Sequence, residues 1–198
     1  QMKEDGQRRR HFELLLSELN SMSPQMQYRH KTGRELTDEI WNKFSHKCFK
    51  CGTAISTSRE MNLDHTRPLA LLWQLDETAT CLCKSCNSQK RDRFPVDYYD
   101  AKELERLAEV TGIPLKELQE PTPNLPALNS ILGSLDWLYD NFLERKDLQV
   151  DRGGKITAEL VCKALDRVIS FTENKEGFSF FEDSLLQKFN IENPDTII

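Results

Sequence analysis

The sequence predicts a mainly helical α+β protein, in which a small strand–strand–helix unit is built around a four-cysteine metal knuckle. Three observations predict it. Two Cys-x2-Cys pairs, Cys48–Cys51 and Cys83–Cys86, bracket residues 52–82. Short strand-like segments lie just inside that bracket. Outside it, apolar residues recur at helical spacing. The expected organisation is an N-terminal helical region over 1–45, the metal-bearing core over 46–95, and a C-terminal helical region over 96–198 that serves recognition or dimerisation.

The elements follow in order. Residues 7–20 read as an amphipathic helix with a basic start, Arg8-Arg9-Arg10. A polar connector runs from Ser21 to Gly33. A second helix begins at Thr37, with Ile40, Trp41 and Phe44 on one face. Met61-Asn-Leu-Asp64 is a short strand, and Thr78-Ala-Thr-Cys-Leu-Cys83 another, rich in strand-favouring Thr. The order strand, strand, helix is completed by Ser85 to Arg93, which Pro95 stops. Ala101–Val110 is strongly periodic and stops at Gly112, and Pro114-Leu-Lys-Glu-Leu118 starts a short helix. The Pro121–Pro126 cluster is a connector. Residues 127–144 read as one long helix with an apolar face. Arg152-Gly-Gly marks a turn, and helices follow over Thr157–Ser170 and Phe178–Phe189.

The bulk numbers narrow the class. The chain has 198 residues, 38% hydrophobic and 30% charged, which describes a polar globular protein. No apolar run approaches the ~20 residues of a membrane span. The first residues lack the apolar core of a secretory leader. A cytoplasmic location, with no membrane partner, is therefore expected. The net charge is −5 and unevenly spread. Residues 1–100 hold 16 Lys and Arg against 14 Asp and Glu, whereas 101–198 hold 11 against 18. A nucleic-acid face needs only a local basic patch, so the acidic total does not exclude one.

Six cysteines are present, four of them in the two pairs. Without a secretory signal, metal ligation explains the pairs better than disulfides. Thiolates of Cys48, Cys51, Cys83 and Cys86 in a tetrahedron fill the coordination of Zn2+, so the ion is structural. The 31 residues between the pairs exceed the ~15–20 of a simple zinc ribbon, so the thiols hold together the ends of an inserted unit. Cys81, on a strand, and Cys162, on an apolar helix face, read as core thiols.

Inside the bracket lies Asp64-His65, and Asn87 follows the last thiol. The run Leu63-Asp-His-Thr-Arg-Pro-Leu69, with Leu82-Cys-Lys-Ser-Cys-Asn-Ser-Gln-Lys90, resembles the HNH endonucleases (ββα-metal or His-Me finger nucleases), in their zinc-knuckle branch. The run Ala70–Thr80 together with Lys90-Arg-Asp-Arg-Phe-Pro95 looks like HNH proteins of the restriction-enzyme type. The resemblance covers residues 46–95. It implies a ββα-metal core, hydrolysis of DNA phosphodiester bonds and His65 as general base. An imidazole, titrating near neutrality, suits that task. Asp64 and Asn87 offer oxygen ligands, which suit Mg2+ or Mn2+ rather than zinc. Two departures stand out. Asn87 replaces the last histidine of the pattern. Thr78 occupies the place of the middle asparagine, where its hydroxyl or a backbone carbonyl would orient His65.

Arg67, Lys90, Arg91 and Arg93 are candidate phosphate contacts beside this constellation. Arg8-Arg9-Arg10 and Arg29-His30-Lys31 are further basic runs that a solvated surface explains equally. His46, beside Cys48, is a candidate supporting group. Trp41, Trp73 and Trp137 lie in apolar patterns and are expected to pack. The leading expectation is a metal-dependent endonuclease acting on double-stranded DNA, of the restriction or defence kind. One such site cuts one strand, so double-strand cleavage implies a homodimer. The alternatives are a non-catalytic zinc-knuckle module that binds nucleic acid, and a nuclease acting on DNA or RNA without sequence preference.

Overall fold

The computed structural model describes residues 2–22, 33–151, 153–172 and 177–185, with side chains in the first helix from Arg10 onward. The chain is a mainly helical α+β protein with one two-stranded antiparallel sheet among the described residues. Its residues divide into two compact units, 1–26 with 123–198, and 27–122. These boundaries differ from the 1–45, 46–95 and 96–198 read from the sequence.

The unit spanning 27–122 begins with α2 (Gly33–Lys43), which buries Leu36 and Ile40. Strands β1 (Asn62–Asp64) and β2 (Thr80–Leu82) pair with Asn62 opposite Leu82, Leu63 opposite Cys81 and Asp64 opposite Thr80. Each strand has three residues, and a hairpin this short is marginal by itself. It is held by helix α3 (Lys84–Lys90), which packs on both strands. Arg91 leaves the helical region at φ 53° and ends α3 ahead of Pro95. The strand–strand–helix order expected from the sequence is thus the observed one.

Two further helices belong to this unit: α4 (Ala101–Thr111) and α5 (Leu115–Gln119). Asp100 caps α4 by accepting from Glu103 N–H, and the Glu103 carboxylate accepts from Asp100 N–H. That reciprocal pair satisfies two otherwise orphaned donors. Leu104 and Leu107 of α4 enter the same apolar cluster as Ile40, Phe49 and Cys81. This shared core is why residues 33–45 and 96–122 belong with the knuckle.

In the other unit, α1 (Met2–Met22) buries Phe12, Leu15, Leu16 and Leu19, an i, i+3, i+4, i+7 stripe. It packs against α6 (Leu125–Leu132) and α8 (Thr157–Ile169). The single helix expected over 127–144 is not formed. It breaks after α6 at Gly133-Ser134, where Ser134 leaves helical geometry at φ −134°, ψ 37°. Helix resumes as α7 (Leu135–Trp137) and runs into a π turn over Leu138–Phe142. Gly and Ser are weak helix formers, and adjacent they suffice to end one. Residues 180–185 are helical, and Asp166 of α8 caps them by accepting from Phe180 N–H at 2.6 Å. Phe178 and Ser179, expected to open this helix, precede it, and residues 186–189 lie outside the described residues, as does Arg29-His30-Lys31. Among the described residues, no helix is long and apolar enough to cross a membrane.

Candidate metal centre and strand-end site

The first Cys-x2-Cys pair sits on a tight turn. Cys48 N–H donates to Thr53 O, and Gly52 N–H returns to Cys48 O, each at 2.9 Å. Gly52 has φ +71°, a left-handed conformation that a side chain would strain. The second pair sits where β2 becomes α3. Cys83 is the N-cap residue and Cys86 lies in the first turn. Phe49 N–H donates to Cys81 O at 2.9 Å and draws the two turns together.

All four sulfurs lie within 4.8 Å of one another, a set able to hold a metal ion such as zinc. The Cys51 and Cys83 sulfurs are 3.8 Å apart. Four Zn–S bonds of about 2.3 Å in a tetrahedron require edges of about 3.8 Å, so this spacing fits zinc. Hydrogen bonds from the Thr53 side chain and backbone lower the Cys51 thiol to about 6, which favours the ligating thiolate. Burial acts the opposite way on Cys81, pushed up to about 12 and fully buried in the core. Cys162 is likewise buried, on α8.

Residues beyond 95 brace the knuckle, which the sequence reading missed. Tyr98 hydroxyl donates to Cys86 O at 3.1 Å, and Arg106 donates to Phe49 O at 2.9 Å. Lys50 forms an ion pair of 2.6 Å with Glu103, the same carboxylate that closes the α4 cap. The Asp100-x-x-Glu103 spacing is a capping signal that the reading by periodicity left unused, and its partner Lys50 is a tertiary fact. His46 stacks on Trp41 at 3.7 Å and bonds Asn42, so its ring serves the end of α2.

Asp64 is the last residue of β1 and His65 follows it directly; both are buried. Asn87 is half-buried on α3. Lys90, three residues further and on the same helix face, reaches the strand end. Its ammonium lies 2.7 Å from Asp64 Oδ2 and donates to the His65 carbonyl at 3.0 Å. The structure therefore brings Lys90, at the C-terminal end of α3, against the Asp64-His65 dipeptide, with Asn87 three residues earlier on the same helix. Thr78 is nearby, but its hydroxyl donates to Asp76 Oδ1 at 2.5 Å. The Thr78 carbonyl accepts from Thr66, whose hydroxyl also bonds Thr80 at 2.5 Å. These bonds tie the segment after His65 to the start of β2.

The four basic candidates separate sharply. Lys90 has a side chain only 1% exposed, so it has no surface to offer a phosphate, contrary to the expectation for it. Arg67 is also turned inward. Its guanidinium stacks 3.5 Å from the Trp73 ring centre and bonds Glu117 at 2.8 Å. Burial lowers its basicity, and Glu117 opposes that. Arg91 and Arg93 are exposed. Arg93 also stacks on Tyr98 at 4.9 Å and donates to Gln89 O at 2.5 Å. The chain matches no protein-family model, no curated protein and no solved structure.

Proposed function

We propose that the unit containing residues 33–122 is an HNH-type, metal-dependent endonuclease core that hydrolyses DNA phosphodiester bonds. The observation that carries this reading is the strand-end dipeptide. Asp64 ends β1 and His65 follows it, against the helix that carries Asn87, on a scaffold whose ends four cysteines bring together. Structural Zn2+ at Cys48, Cys51, Cys83 and Cys86 supplies on the order of 10 kcal/mol of folding free energy. That contribution adds to the helix packing that already holds the two three-residue strands.

The strand-end donor set suits a hard divalent ion such as Mg2+ or Mn2+, because Asp64 and Asn87 both offer oxygen. The fit is conditional, since Asp64 Oδ2 already holds Lys90. When bound, such an ion polarises the phosphate and stabilises the departing oxygen. His65 takes a proton from the attacking water as the water oxygen bonds phosphorus and the P–O ester bond breaks. Such a base contributes roughly 10²–10⁴ in rate. In this reading Arg91 and Arg93, both exposed, contact the DNA backbone. The reading carries with it a cytoplasmic restriction or defence role on double-stranded DNA. It also implies a homodimer for cutting both strands.

One observation favours a second reading. A buried Lys–Asp pair is also what a purely structural strand end looks like, which suits a non-catalytic zinc module. The test is incubation of unmethylated plasmid and phage DNA with the protein and Mg2+ or Mn2+, with EDTA as control. Discrete metal-dependent fragments support a sequence-specific endonuclease. A smear indicates a nuclease without sequence preference. Intact DNA, with binding retained by gel shift, supports the zinc module.

A further inference from the structure

Lys90 is among the largest fully buried side chains in the described residues. Its two polar contacts fall on consecutive residues, the Asp64 carboxylate and the His65 carbonyl. A buried ion pair is usually no better for folding than apolar groups of the same shape. Replacing Lys90 alone would leave the Asp64 carboxylate buried without its counter-charge, so the pair is a unit whose geometry matters.

The placement has two consequences, which oppose each other. The ammonium touches both the Asp64 carboxylate and the His65 carbonyl, so it helps to position the dipeptide alongside the β1–β2 pairing. It also puts a positive charge beside one of the two oxygen ligands proposed for the divalent ion. We propose that Lys90 is a positioning residue that shares Asp64 with the divalent ion, giving up metal affinity in exchange for a fixed Asp64-His65 geometry. This inference rests on the reading of Asp64 and Asn87 as ligands of a catalytic ion.

The two effects carry opposite signs when Lys90 is removed. Relief of like-charge repulsion at such short range raises divalent-ion affinity by about ten-fold or more. Loss of an outer partner that orients a ligand lowers activity by about 10–100-fold. Removal of the charge tests the sharing of Asp64, and slower cleavage at an unchanged melting temperature tests the positioning, because a side chain that only supports the fold lowers activity in step with stability.

The experiment is calorimetric titration of Mn2+ into the zinc-loaded full chain, without DNA. It compares wild type, Lys90→Met and Lys90→Gln, with Asp64→Asn as the site control and cleavage assayed in parallel. The expected result is tighter Mn2+ binding in both Lys90 variants, slower cleavage, and lost or weakened binding in Asp64→Asn. Equal or weaker Mn2+ binding in a folded Lys90 variant overturns the inference. Tighter binding in a protein that never cleaves DNA leaves the sharing of Asp64 standing and sinks the nuclease reading alone. No Mn2+ binding in any form overturns both. Should both variants fail to fold, the wild type answers by NMR. The 15N resonance of the Lys90 ammonium is expected to shift when Mg2+ is added, and an unmoved resonance overturns the inference.

Discussion

At the scale of residues, similar letters end in different physical situations. Arg67, Lys90, Arg91 and Arg93 surround one motif, and the sequence offers nothing to tell them apart. Burial depends on which way α3 turns and on where Trp73 and Glu117 arrive, and both are tertiary facts. The thiols were legible because metal ligation needs a fixed spacing, whatever surrounds it. Arg67→Ala is expected to destabilise the protein by about 1–2 kcal/mol through loss of the stacked, partly buried pair. Arg91→Ala is expected to leave stability unchanged, weaken DNA binding, and reduce the salt slope by about 1. Denaturation curves and salt-dependent binding of the two variants check this pair of outcomes. Equal effects of both on DNA affinity would contradict the inward placement of Arg67.

At the scale of elements, β1, β2, α3 and α4 were legible from short-range rules. Thr and Leu mark the strands, Pro95 limits α3, and the periodicity of Ala101–Val110 with Gly112 after it marks α4. The break between α6 and α7 was less legible, because the apolar spacing of Leu128, Ile131, Leu135 and Leu138 continues across it. Leu128, Ile131 and Leu138 are buried as the periodicity indicates, Leu135 is only half-buried, and Gly133-Ser134 decided the backbone. The α4 cap has a reach beyond its own helix, since Glu103 also pairs with Lys50 in the knuckle. Asp100→Ala is expected to cost about 1 kcal/mol in chemical denaturation. A neutral result would mean that the cap contributes nothing beyond the packing of α4.

At the scale of the whole molecule, the sequence divided the chain by motif, whereas packing divides it by shared core. Helix α1 joins α6 and α8, and α4 and α5 join the knuckle, because those are the apolar faces they cover. Only the unit containing 33–122 carries the cysteine cluster, and the other has a core of its own around Phe12, Leu16 and Leu165. A strong chelator is therefore expected to lower one calorimetric unfolding transition and leave a second, helical one in place. A single transition that moves as a whole would contradict two separately cored units. The central claim is that Asp64-His65 is a reactive centre and not a structural turn. The most direct measurement is single-turnover DNA cleavage by wild type and His65→Ala, with zinc content and melting temperature measured on the same samples. The account predicts a rate lower by roughly 10²–10⁴ in His65→Ala, with zinc and stability retained. Unchanged cleavage in a zinc-loaded, folded His65→Ala protein would contradict it.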